Sequence, residues 1–103
     1  VHDSAVATHL YRIAQEAVVN AAKGGRAKRI SVRIFPRNDG VILRVTDNGI
    51  GLANAVKRAG MGLKIMEYRA RVIDAELRFR SRRSGGTVVS CAWHASGHPP
   101  KEH

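Results

Sequence analysis

The sequence predicts an α+β domain of two layers, with helices on one face of a mainly antiparallel sheet. Three observations predict it. An apolar stripe at helical spacing runs through residues 9–23, four later segments alternate with a period of two, and turn-forming clusters separate the strands of each pair. The element order is helix, strand, strand, loop, helix, strand, strand.

Leu10, Ile13, Ala14, Ala17, Val18 and Ala21 recur at helical spacing, and no Pro or Gly interrupts them before Gly24-Gly25. This predicts the first helix over residues 9–23. In residues 28–35, Ile30, Val32 and Ile34 alternate with Arg29, Ser31 and Arg33, and in residues 41–47, Val41, Leu43 and Val45 alternate with Arg44 and Thr46. Pro36-Arg37-Asn38-Asp39-Gly40 between them is a turn sequence, so the pair forms an antiparallel hairpin. Residues 52–59 are short and mixed. Gly62 then opens a second helical pattern, with Leu63, Ile65, Met66, Ala70 and Ile73. A third strand covers residues 75–81 with Leu77 and Phe79 inward, Ser84-Gly85-Gly86 turns the chain, and residues 87–93 form a fourth strand. Residues 95–103 lack periodicity and are expected to be a flexible tail after a domain spanning residues 1–94.

A chain of 103 residues is one domain, and 44% hydrophobic with 25% charged residues is a globular composition. No apolar run approaches the roughly 20 residues that cross a bilayer. The lone Cys91 excludes an internal disulfide, and no signal-peptide pattern opens the sequence, so this segment reads as cytoplasmic and free of membrane contact. A net charge of +10 raises the question of nucleic acid. Arg33, Arg44, Arg78 and Arg80, however, fall on the phase opposite to the apolar residues and can coat the open side of a one-sided sheet. With 5% aromatic residues there are few stacking platforms for bases, and no nucleic acid is expected as a partner.

Three segments carry chemistry. Glu16, Asn20 and Lys23 stand at i, i+4 and i+7 and share one stripe of an α-helix. An Asn carbonyl oxygen suits Mg²⁺, a nearby carboxylate can act as general base, and a Lys one turn on can meet a phosphate. The competing reading is the polar ladder of an amphipathic helix. Asp47-Asn48-Gly49-Ile50-Gly51 leaves an alternating strand and sets a carboxylate beside backbone that a ligand can approach closely, as a purine amino group requires; Asp-Asn-Gly is also an ordinary turn sequence. Gly60-Met61-Gly62 precedes the second helix, where free N–H groups and the helix dipole favour phosphate. Neither glycine run is a Walker loop or a dinucleotide fingerprint.

Together these segments resemble the ATP-binding domain of sensor histidine kinases, in the superfamily shared with gyrase, the heat-shock chaperone ATPase and the mismatch-repair ATPase. The resemblance covers nearly the whole chain. The stretch from Gln15 to Lys23, including Glu16 and Asn20, looks like the family's N box, Asp47-Asn48-Gly49-Ile50-Gly51 like its first glycine box, and Gly60-Met61-Gly62-Leu63 like its second. Ser84-Gly85-Gly86-Thr87 looks like the element that closes the adenine site. Leu10-Tyr11-Arg12-Ile13 and the compact stretch between the glycine boxes look most like the subgroup that pairs with LuxR-type response regulators.

The resemblance implies a Bergerat-type fold that binds ATP and Mg²⁺. It makes Asn20 the Mg²⁺ ligand, Glu16 the acidic catalytic residue and Asp47 the acceptor of the adenine amino group. Gly49 and Gly51 would shape the base pocket, Gly60 and Gly62 would lie along the phosphates under a short lid, and Thr87 would join Asp47 at adenine through water. The family often has His after the N-box lysine, where this chain has Gly24-Gly25, which loosens the helix end. The family also usually has a strand before the first helix, and Val1 to Thr8 is too short and polar to supply one.

No phosphoacceptor hairpin is visible in this sequence. His9 lies on the helix of Glu16 and is a poor acceptor, and His2, His94, His98 and His103 read as exposed, without acidic partners or metal-ligand spacing. The expectation is a catalytic fragment that donates the ATP γ-phosphate to a histidine on a separate dimerisation domain of its parent, with a response regulator downstream. Alone it should bind nucleotide without phosphorylating itself. The alternatives are an anti-sigma-type serine kinase domain and a basic nucleic-acid-binding module.

Overall fold

The computed structural model describes residues 3–24, 26–51 and 62–95. Helix α1 spans Asp3–Val19 and runs into a π-helical turn, Asn20–Gly24. Strands β1 (Ile30–Arg37) and β2 (Gly40–Asp47) follow, then helix α2 (Gly62–Val72) and strands β3 (Glu76–Ser81) and β4 (Thr87–His94). The four strands form one antiparallel sheet in the order β1-β2-β4-β3. This is the two-layer α+β architecture that the periodicities predict.

The core lies between the helices and the central strands. Val6, Leu10, Ile13 and Ala17 of α1 bury one stripe against Leu43 and Val45 of β2, Val89 and Cys91 of β4, and Met66 and Ala70 of α2. Burial in this apolar layer pushes the Cys91 thiol up to about 12, which keeps it protonated at neutral pH. Helix α1 begins at Asp3, six residues before the predicted start, because Val6 continues the same stripe one turn below Leu10. Helix α2 closes on Asp74 at φ 56°, with Ala75 N–H donating to the Ala70 carbonyl at 2.8 Å, in the manner of a left-handed C-cap.

Three expectations need correction. Val32 and Ile34 are on the helix side of the sheet but are 51% and 60% exposed, because β1 is the sheet edge and the helices centre on the inner strands. Ile65, counted in the apolar pattern of the second helix, is exposed on α2, whose buried stripe passes through Met66 and Ala70 instead. His94 is buried rather than exposed, and its Nδ1 lies 3.3 Å from Asp39 Oδ1 in the β1–β2 turn, so it has an acidic partner. That turn is only Asn38-Asp39; β1 continues through Pro36, which an edge strand tolerates because the missing N–H faces away from the ladder. Residues 96–103, which hold nearly all of the predicted tail, lie outside the described residues.

Candidate functional site

At the C-terminal end of β2 the chain leaves the sheet at Asp47, which is buried. Its parity is that of Leu43 and Val45, so the carboxylate turns to the helix side. Gly49 N–H donates to Asp47 Oδ1 at 2.7 Å in a tight side-chain turn, which orients the group and leaves Oδ2 without a partner among the described residues. Asn48 pins the same loop from the other side: its Oδ1 accepts from the Lys28 and Arg29 N–H groups at 2.9 and 2.8 Å. Gly51 follows with φ 94°, and a Cβ there would meet nothing within 4 Å.

The β3–β4 turn closes on Asp47 from behind. Arg82 N–H donates to the Gly86 carbonyl at 2.9 Å, and Gly85 N–H to the Arg82 carbonyl at 3.1 Å. This compact turn presses Gly86, at φ 99°, so near the Asp47 carbonyl that an added Cβ would overlap it. The Arg82 guanidinium also donates to that carbonyl, at 2.9 Å. The β2–β4 ladder ends at Thr46↔Val88, so the next residue on each strand, Asp47 and the buried Thr87, stand side by side. Sequence reasoning missed Arg82 and the pinning role of Asn48. The Gly85-Gly86 pair after two arginines signals a tight turn, but nothing in it shows that the turn reaches β2.

The other grouping lies on the helices. Gly62, the buried first residue of α2, packs so closely on Asn20 that an added Cβ would lie 2.7 Å from the amide oxygen. The Asn20 side-chain nitrogen is buried with no hydrogen-bond partner. An orphaned buried amide is costly, and it is the sort of group that a ligand satisfies. Glu16 sits half-buried one turn earlier on α1. Lys23 departs from the expected stripe: the wider π turn starts at Asn20, so Lys23 falls off the line of Glu16 and Asn20 and is exposed. Gly60, which was predicted to lie along a phosphate, is outside the described residues.

The structure thus places Asp47, Gly49 and Thr87 together at one end, and Glu16, Asn20 and Gly62 together at the other. Residues 5–96 match the family described as histidine kinase-, DNA gyrase B- and HSP90-like ATPase. The chain belongs to this ATPase family. Within it, the nitrate/nitrite sensor protein NarX of Escherichia coli (strain K12) is 40% identical over 84 residues, which are 81% of this chain and 14% of NarX. The sensor protein NarQ of the same organism is 35% identical over 96 residues, covering 91% of this chain and 17% of NarQ. The sensor protein VraS of Staphylococcus aureus (strain COL) is 35% identical over 82 residues, covering 79% and 24%. The chain therefore spans between about a seventh and a quarter of the length of these sensors.

Solved histidine kinase structures share this fold. The histidine kinase domain of the Erythrobacter litoralis blue-light activated kinase superposes with a TM-score of 0.74 at 19% identity, over 89% of this chain and 46% of that one. The Acinetobacter baumannii histidine kinase AdeS gives a TM-score of 0.70 at 13% identity, over 84% and 46%. Membership makes the bound nucleotide ATP and the chain an ATP-binding domain. No described helix is long and apolar enough to cross a membrane.

Proposed function

We propose that this chain binds ATP with Mg²⁺ and, as the catalytic part of a longer cytoplasmic kinase region, passes the γ-phosphoryl group to a histidine on a separate dimerisation domain. A response regulator of the LuxR-type class then receives it. The observation that carries this reading is the Asp47 carboxylate, buried, oriented by Gly49 and backed by the β3–β4 turn. A carboxylate oxygen accepts a hydrogen bond from the adenine amino group, whereas guanine presents a carbonyl oxygen at that position and is repelled. The sensors at 35–40% identity support the kinase context.

At the phosphate end, Asn20 fits a hard cation. Its terminal amide is buried, orphaned and at the start of α2, and a flip of that amide exchanges a donor for a carbonyl oxygen. Mg²⁺ keeps several waters and phosphate oxygens, so a single protein oxygen is a sufficient anchor, and the ion's charge would offset that developing on the phosphates. The Gly62 N–H at the helix start lies beside Asn20, where backbone donors and the helix dipole favour anionic oxygens. In the transfer, an imidazole nitrogen of the acceptor attacks Pγ, the bond from Pγ to the bridging oxygen breaks, and ADP leaves with the electron pair. Glu16 is the group on α1 that takes up the imidazole proton.

Isothermal titration of the chain with a non-hydrolysable ATP analogue and Mg²⁺ tests the proposal. Asp47→Ala should weaken binding by about a hundredfold, the loss expected for a buried charge-assisted hydrogen bond. Unchanged affinity in that variant, or no binding by the wild type, contradicts the proposal. With binding established, labelled ATP and a separate histidine-bearing domain should yield an acid-labile phosphoprotein; an acid-stable product would point to serine transfer.

A further inference from the structure

The face of the sheet away from the helices carries a charge arrangement that nucleotide binding does not use. At one level of the ladder the residues across all four strands are Arg33, Arg44, Ser90 and Arg78. Arg33 and Arg44 are direct cross-strand partners, and both guanidinium groups sit over Phe35, at 5.2 and 5.3 Å from the ring centre. Arg37 and Arg80 extend the same face, and with Arg44 and Arg78 they rim a depression of about 740 Å³ whose floor includes Ile42, Val88 and Ala92. Glu76, paired with Arg78 at 2.7 Å, is the one carboxylate among those lining residues.

Like charges directly opposite each other on neighbouring strands cost stability. Arginine stems can cover the apolar floor, and Ile42 and Val88 are indeed buried, but covering explains the stems and not the concentration of charged heads. A second observation points outward. Arg44 Nε is buried and has no hydrogen-bond partner, so the most enclosed arginine of the face holds an unmet donor.

We propose that this face docks an acidic amphipathic helix of a protein partner, with carboxylates on the arginines and apolar side chains on the floor. Three features select such a partner over a nucleic acid. The floor is aliphatic, Phe35 beside it is already occupied by two guanidinium groups, and the two rings of the lining, Phe79 packed on the core and the buried His94, offer no free face on which a base could stack. Spacing agrees as well. Neighbouring strands are about 4.8 Å apart, so Arg33 to Arg44 spans one interval and Arg44 to Arg78 about two, or roughly 10 Å. Helix positions i, i+4 and i+11 lie on one face at successive intervals of about 6 and 10 Å along the axis, and arginine forks grip carboxylates bidentately.

The test uses the whole chain and a fluorescein-labelled helical peptide of about 15 residues, with Glu at i, i+4 spacing beside a Leu stripe. A single-stranded DNA of similar length serves as the comparison. Saturable peptide binding is expected, weakened at least about tenfold by Arg33→Gln with Arg44→Gln, and less than about twofold by Lys64→Gln with Arg71→Gln, an equal charge change on exposed α2 positions. Arg80→Gln alone gives an independent second variant should the first pair fold poorly, as judged by melting temperature. Equal losses in both pairs would show attraction to net charge only. Absence of saturable binding, or tighter binding of DNA with the same variant dependence, would also overturn the proposal. None of these outcomes depends on whether ATP binds.

Discussion

The two ends of the proposed nucleotide site are built from different material. At the Asp47 end, backbone packs on backbone: Gly86 against the Asp47 carbonyl, the Gly49 N–H on the carboxylate, and two N–H groups on Asn48. At the Asn20 end, the close neighbour of Gly62 is a side-chain amide that can rotate, on a π turn. Backbone cannot yield without moving strands, whereas a side chain can. With the base at Asp47 and the phosphates at Asn20, as proposed, base recognition would be fixed by the sheet while the phosphate end could adjust during a reaction cycle.

Substitutions at three glycines break or sharpen this contrast. Gly86→Ala should have the largest effect, because the new methyl group overlaps the Asp47 carbonyl at a φ of 99°. Strain and overlap together should cost about 3 kcal/mol or more, read as a large fall in melting temperature that ATP cannot reverse. A melting temperature near that of the wild type would show that the Asp47 end is as yielding as the other. Gly62→Ala should displace the Asn20 amide rather than any strand. Stability should fall by less than about 1 kcal/mol, while Mg²⁺-dependent affinity for the ATP analogue falls about tenfold in titration. Loss of folding would mean that the amide is held as firmly as backbone. Gly51→Ala is the smallest and separates strain from overlap, since Gly51 shares the positive φ of Gly86 but has open space around it. About 1–2 kcal/mol of destabilisation by denaturant titration is expected, from conformation alone.

Much of this was legible in sequence. Asp47 could be placed at a strand end because Val41, Leu43 and Val45 set a clear alternation, and Asn20 and Gly62 could each be singled out from local context. Their contact could not, since it depends on how α2 docks on α1. The π turn was illegible for the same reason: Asn20-Ala21-Ala22-Lys23 has ordinary α-helical composition, and tertiary packing overrides propensity. The exposure of Val32 and Ile34 follows from the place of β1 at the edge, which depends on strand order rather than strand pattern. His94 was misjudged because its acidic partner, Asp39, lies 55 residues earlier in the chain.

The strand order has a consequence for how long the proposed site would retain a base. Asp47 and Thr87 belong to β2 and β4, the inner pair, flanked by β1 on one side and β3 on the other. Local opening begins at sheet edges, so the β2–β4 ladder, which ends at Thr46 and Val88 immediately before these two residues, is among the last parts of the sheet to exchange its amide protons. Fraying of either outer strand leaves that ladder closed. A base seated at this end, as proposed, would depart through motion of what covers it, not through melting of what it rests on.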